Sequence, residues 1–320
     1  NGIMAVSKLG AFVATGSASI LSEAVHSIAD LGNQSLLLVG ISQSLKEPDE
    51  THPYGYATER YVWSLISGVG IFFLGSGVSV YHGLHGIMNP HEIENFAIGM
   101  TVLGSAFVFE GYSLGVAMQE CRAEAQKQGQ SLYDYVVRGS DAMNVAVLME
   151  DAVAVLGCGI AAGCLTLSHM TGNPLYDSLG SLVIGGLLGC AAMLLIDKNR
   201  ALLLGTTIDA RRIGRVVQIL ERDPIVNSVH DVKAIMVGAD RGRFKAEINF
   251  NGEELAKRCF VRMEPQWQEF EESVKSEEMH NALTGYSREL LRVLGDEVDR
   301  LEGIIRWELP EVRHVDLEIL

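Results

Sequence analysis

Residues 22–30 read SEAVHSIAD, three ion-binding side chains set among small and apolar ones, and the run that follows, LGNQSLLLVGISQSL, carries no charge. On an α-helix at about 100° per residue, His26 and Asp30 stand one turn and about 40° apart. Both therefore reach a single ion from one helix, and Glu23 and Gln34 fall near the same stripe. Imidazole with carboxylate is a common zinc ligand pair, and tetrahedral zinc needs about two further ligands. Neutral imidazole is the ligating form, and its ordinary pKa of ~6.5 lets protons compete with metal near neutral pH. Metal binding then displaces protons.

A second pair of acids lies in MNVAVLMEDAVAVLG. Asp151 is expected to face the interior. Glu150, about 100° away around the helix, is either a direct ligand or a supporting group. Asn144 shares the stripe of Asp151 about 10 Å along the axis, a distance that suits lining a pathway. Glu23 is expected as a near-interface or supporting group. The candidate metal ligands are thus His26, Asp30, Asp151 and Glu150, and the metal is a transported substrate with no cofactor expected.

The surroundings of these residues explain why they stand out. The chain has 320 residues and a formal net charge of -15. Of its Asp, Glu, Lys and Arg residues, 25 fall in 1–200 and 40 in 201–320. The division is a membrane domain over 1–204 and a soluble domain over 205–320. The acidic balance argues against nucleic acid, because phosphate contacts need clustered Lys and Arg. Five widely spaced cysteines without a CxxC pair argue against a disulfide framework or a thiolate zinc site. The chain opens on NGIMAVSKLGAF without an initiator Met, so it reads as starting inside or just before a helix, and any targeting signal would lie upstream.

A membrane helix needs ~20 mostly apolar residues. Six segments qualify: about 3–19, 20–45, 60–87, 95–120, 143–167 and 175–197. The isolated ionisable residues within them are Lys8, then Glu23, His26 and Asp30, then Glu110, then Glu150 and Asp151. Such groups at bilayer depth cost ~2.5 kcal/mol or more each and mark function by default. Lys and Arg occur in the connections 46–60 and 121–142 and after the sixth span, and are missing from 88–94, 168–174 and the first turn. That asymmetry places both ends on the positive side, cytosol or mitochondrial matrix.

From 205 the pattern becomes that of a soluble domain: a helix over TTIDARRIGRVVQILERDP, strands over VNSVHDVKAIMVGAD and GRFKAEINFNG, a charged stretch 253–280, a long amphipathic helix stopped by Pro310, and a closing strand, VRHVDLEIL. The second strand alternates Phe244, Ala246, Ile248 and Phe250. This order is a small α+β sandwich of ferredoxin-like type. The fold class is an α-helical membrane protein, a six-helix transmembrane bundle followed by that domain, which reads as a packing or dimerisation module.

TGSASILSEAVHSIAD, with HPYGYATERY after the second span, closely resembles the cation diffusion facilitators. The likeness continues through SLISGVGIF, NVAVLMEDAVAVLG, TGNPLYDSLGSL, VHDVKA, RFKAE and EVRHVDLEIL and covers essentially the whole chain. It implies six helices, a ferredoxin-like C-terminal domain, a homodimer in the lipid bilayer, and zinc exchanged for protons by alternating access. The mitochondrial branch, which the chain resembles most, implies the inner membrane, a C-terminal domain in the matrix and zinc export from it. The family's second-span ligand pair falls on His26 and Asp30. Its fifth-span pair is usually His or Asp followed four residues later by Asp. Asp151 matches the later position, but the earlier one is Val147, which cannot ligate. Glu150, Asn144, a backbone carbonyl or water completes the site, or it is three-coordinate plus water.

Other metal positions are weaker. His230, with Ile248 and Glu318 nearby, and the separate His280 and His314 read as surface or satisfied histidines. In DETHPYGY, His52 with Asp49 or Glu50 is a weak site, and a turn at Pro53 and Gly55 is preferred. His82, His85 and His91 are candidates for collecting ions at the far mouth. An enzyme is not expected, since HExxH, GxSxG and a second helical His at ligand spacing are all missing. A membrane-anchored interaction protein is the alternative function. One His with carboxylates also admits manganese, iron or cobalt; the family resemblance alone favours zinc.

Overall fold

In the computed structural model, residues 2–90, 93–127, 129, 131–138, 142–238, 241–264 and 279–320 are described. The chain divides into two compact units, Asn1–Leu204 and Gly205–Leu320.

The first unit is helical: α1 (Gly2–Thr15), α2 (Ala18–Ser44), α3 (Glu59–Gly70), a π-helical turn (Ile71–Ser76), α4 (Gly77–Met88), α5 (Phe96–Lys127), α6 (Leu132–Arg138), α7 (Ala142–Thr171) and α8 (Leu175–Leu204). Among the described residues, four stretches are long and apolar enough to cross a membrane: Glu59–Met88, Phe96–Lys127, Asn144–Thr171 and Leu175–Leu204. α1 is apolar but shorter, at 14 residues. α2 has the length, 27 residues, but its serines, His26, Asn33 and Gln34 dilute its apolar character. Gly16, at φ +69°, turns the chain between α1 and α2 in a conformation that a side chain disfavours. Small residues bring α4 and α8 together: a Cβ on Gly185 would lie 2.9 Å from Val80 Cγ2. The π turn interrupts what the sequence reads as one regular span, a distortion often found at functional sites.

In the second unit, α9 (Ala210–Glu221) leads to β1 (Val226–Met236) and β2 (Gly242–Phe250), then α10 (Gly252–Met263), α11 (Met279–Glu308) and β3 (Val312–Ile319). The sheet order is β1-β2-β3. β1 runs antiparallel to β2, with Val229 opposite Ile248, and β3 runs parallel to β2, with Val315 beside Phe244. Phe244, Ala246 and Ile248 alternate into the core and are fully buried. Leu220 of α9, Leu255 and Cys259 of α10, and Leu301 and Ile305 of α11 pack in the same cluster. α10 lies in the charged stretch that the sequence reading left unassigned. Its signals are local: the Asn251 side chain caps Glu253 N and Glu254 N, and Leu255, Cys259 and Met263 recur every fourth residue on the buried face.

An ion network ties α10 and α11 to the start of β1. Arg300 donates to Asp223 at 2.7 Å and to Glu297 at 2.7 Å, and Arg258 also pairs with Glu297. Burial pushes both carboxyls up, but the guanidinium groups outweigh it and hold both below the usual range. A depressed carboxylate contributes stability above its unfolded pKa, ~3.9 for Asp and ~4.3 for Glu, and loses it as pH falls through the folded value. Hydrogen-exchange protection across 205–320 in the full chain is therefore expected to drop below about pH 4. Arg300→Met should flatten that drop, and an unchanged pH profile in the variant would count against it.

Candidate metal centre

The first turn of α2 is anchored before its ligands are placed. The Ser17 side chain caps Ile20 N. The Asp177 carboxylate, in the first turn of α8, accepts from Ser17 Oγ at 2.7 Å, from Ala18 N at 2.6 Å and from the Ser19 hydroxyl. An anion at a helix N-terminus satisfies free N–H groups and complements the helix dipole. From this anchor, α2 buries His26, Asp30, Asn33, Leu37, Gly40 and Ser44 at helical spacing. Gln34, placed near the stripe by the sequence reading, is exposed; Asn33 occupies the buried face instead.

His26 is 2% exposed and Asp30 6%. His26 Nδ1 lies 3.5 Å from Asp30 Oδ1 without a hydrogen bond, and neither imidazole nitrogen has a hydrogen-bond partner. Asp30 Oδ1 is also buried and unpartnered. Buried polar atoms are normally paired, and leaving one unpaired costs roughly 1–3 kcal/mol. These three atoms, on one helical turn, are left without partners. They line a cavity whose other walls are Ile71 of the π turn, Ala146, Met149, Glu150 and Val153 of α7, and Leu188, Ala191, Ala192 and Leu195 of α8.

α7 offers Glu150 to this cavity, and Asn33 Nδ2 donates to Glu150 Oε1. Asp151 is outside the lining set: half-buried, it accepts from Ser113 Oγ of α5 at 2.7 Å. The cavity face of α7 reads Ala146, Glu150, Val153, while Val147 is 37% exposed. The structure thus brings His26, Asp30 and Glu150 together and turns Asp151 toward α5. Among the described residues, no group of three His, Cys, Asp or Glu side chains is close enough to hold a metal ion by itself.

Glu23, expected near the interface, is fully buried. Lys8 Nζ donates to Glu23 Oε2 at 3.0 Å and to Ser27 Oγ at 2.9 Å, and lies 3.6 Å from Glu110 Oε1. The Cys158 thiol donates to Glu23 Oε2 at 3.1 Å. The sequence shows Lys8 and Glu110 as lone charges in apolar spans, but nothing in their spacing pairs them.

Among the described residues, the remaining histidines form no group of three that could hold a metal ion. In the loop after α2, Asp49 Oδ1 accepts from Thr51 N at 2.9 Å and His52 N at 2.7 Å, and Tyr56 OH donates to Oδ2. The Tyr56 hydroxyl, then the Thr51 hydroxyl and the His52 N–H, hold this carboxyl well below the usual range. Its oxygens serve the turn. His230 pairs with Ser228 Oγ at 2.8 Å, His314 stands beside Arg243 in the sheet, and His280 is exposed. His82 and His85 lie on α4, and His91 lies outside the described residues.

Among the described residues, the first unit pairs four helices long and apolar enough to cross a membrane with a buried histidine–carboxylate cavity. The chain belongs to the cation efflux family: the cation efflux transmembrane domain matches residues 1–204. Over all of this chain it is 45% identical to the human "Proton-coupled zinc antiporter SLC30A9, mitochondrial" and covers 57% of that protein. It is 42% identical to "Metal tolerance protein C4" of Arabidopsis thaliana, over 97% of this chain and 69% of that one. It is 23% identical to "Magnetosome protein MamB" of Magnetospirillum gryphiswaldense, over 71% of this chain and 70% of that one. The chain thus spans little more than half the length of the human relative.

Proposed function

We propose that this chain is a secondary transporter that exchanges zinc for protons by alternating access. The observation that carries this reading is the pair of unpartnered imidazole nitrogens of His26, buried beside Asp30 and Glu150. The printed name of the human relative supports zinc as the cargo, a proton as the counter-ion and a mitochondrial location. Zinc takes His26, Asp30 and Glu150 once their side chains close on it, with water completing four ligands. Asp151, held by Ser113, is the neighbouring carboxylate that a small rotation of α7 brings round. The bundle has six spans, α1 and α2 among them, with both ends on the positive side. Residues 205–320 form a ferredoxin-like module that joins two copies into a homodimer. In a mitochondrion this module lies in the matrix, and zinc leaves across the inner membrane.

Purified protein in liposomes tests the reading. Zinc flux should accelerate when a pH gradient opposes it, and flux indifferent to the gradient would remove proton exchange. Glu150→Gln should weaken zinc affinity about 10–100-fold, and Asp151→Asn less. The reverse order would make Asp151 the α7 ligand. Manganese, iron and cobalt as competitors report the selectivity.

A further inference from the structure

Lys8, Glu23 and Glu110 form a second buried cluster that zinc ligation leaves unused. One ammonium from α1 faces a carboxylate from α2 and another from α5, with exposures of 0%, 0% and 6%. Fully ionised, the three carry one net negative charge at membrane depth, a state that low dielectric strongly disfavours. One added proton makes the cluster neutral.

The geometry selects the carboxylate that takes it. Glu23 Oε2 accepts from both Lys8 Nζ, at 3.0 Å, and the Cys158 thiol, at 3.1 Å, so its anion is well held. Glu110 Oε1 is 3.6 Å from Lys8 Nζ, beyond hydrogen-bond reach. Glu23 Oε1 is buried and has no hydrogen-bond donor. That oxygen packs against Gly157, where any Cβ would collide with it, so the backbone of α7 is shaped to admit the Glu23 carboxylate.

The cluster is wired to the metal cavity on two helices. Ser27, which accepts from Lys8, lies between His26 and Asp30 on α2. Glu110 lies one turn from Ser113 on α5, and Ser113 holds Asp151. The titratable groups that act on Glu110 from the packed helices are Lys8 of α1, His26 and Asp30 of α2, and Asp151 and Cys158 of α7. Glu23 and Glu150 stand among the same groups. Asp134 of α6 turns to Ser131 instead.

We infer that Glu110 is a proton-carrying site of the exchanger, separate from the metal ligands and balanced by the Lys8–Glu23 pair. The inference rests on the zinc–proton reading above. Zinc arriving at His26 and Asp30 brings two positive charges close to the cluster in a medium that screens them poorly. The Glu110 O–H bond then breaks, and its proton leaves to the water on the side from which zinc came. On the return, after zinc has left on the other side, Glu110 takes up a proton there and the cluster crosses neutral.

The test is titration calorimetry of zinc into the purified full chain in detergent, repeated in buffers of different ionisation heat to count protons released per zinc. Glu110→Gln should release about one proton fewer per zinc than the wild type while still binding zinc. Glu110→Asp should restore the count. An equal count in Glu110→Gln and wild type overturns the inference and leaves the cluster as a structural strut. If Glu110→Gln does not fold, infrared difference spectra of the wild type decide. A protonated carboxyl band should vanish on zinc addition, and its persistence overturns the proposal. Wild-type protein that binds no zinc fails the exchanger reading itself, which the same titration shows.

Discussion

Replacing His26 and Asp30 together with alanine should abolish zinc flux in liposomes, lowering it at least ~100-fold. Loss of one outer-sphere partner of a metal ligand already costs ~10–100-fold, and this change removes two of the three cavity ligands. The expected stability of the double variant is as informative as its activity. Both imidazole nitrogens and Asp30 Oδ1 lack partners, so the folded protein gains no hydrogen bonds from them. Thermal unfolding in detergent should therefore stay within about 1 kcal/mol of the wild type. A transport-dead but normally stable variant separates a cargo site from a structural one. Retained flux, or a variant that loses both flux and stability, would show that these groups serve the bundle.

The opposite pattern is expected at Lys8. This side chain is fully buried and is the shared cation of Glu23 and Glu110. Lys8→Met keeps the volume but leaves the Glu23 carboxylate, and Glu110 whenever it ionises, without a counter-charge. Breaking a buried pair from one side costs about 3–5 kcal/mol, whereas replacing all partners by neutral groups of similar size is often tolerated. Lys8→Met should thus unfold markedly earlier in detergent, and adding Glu23→Gln and Glu110→Gln should recover most of the loss. A single variant as stable as wild type would mean that water reaches the cluster and screens it.

The two results divide the polar interior of the first unit by function. On α2, one turn apart, Glu23 is anchored and His26 is free. Anchored groups hold the helices in place, and on the proposed reading the free ones wait for a cation. This contrast is why the cavity reads as a binding site: a protein that needed His26 only for packing would give its nitrogens partners.

Much of the second unit was legible before folding. A strand exposes alternate residues to opposite faces, so Phe244, Ala246 and Ile248 announce their buried side, and all three are in the core. α10 was missed because its charged face dominates the stretch, although the Asn251 cap and the Leu255, Cys259 and Met263 spacing were there to read. The π turn at Ile71–Ser76 had no visible signal, since one extra residue in a helical turn leaves an apolar run looking the same.

The pairing of His26 with Asp30 is a local matter. Four residues on a helix is one turn, whatever surrounds it, and the amino-acid order alone therefore places both side chains on one face of α2. The choice between Glu150 and Asp151 is of another kind. Adjacent residues differ by about 100° around α7, and no spacing within that helix says which one faces inward. Packing against α2, α5 and α8 sets the rotation, and Asn33 and Ser113 then claim one acid each. The same holds for Lys8, whose partners come from two other helices. Contacts within a turn follow from covalent geometry, while contacts between helices exist only once the bundle has closed.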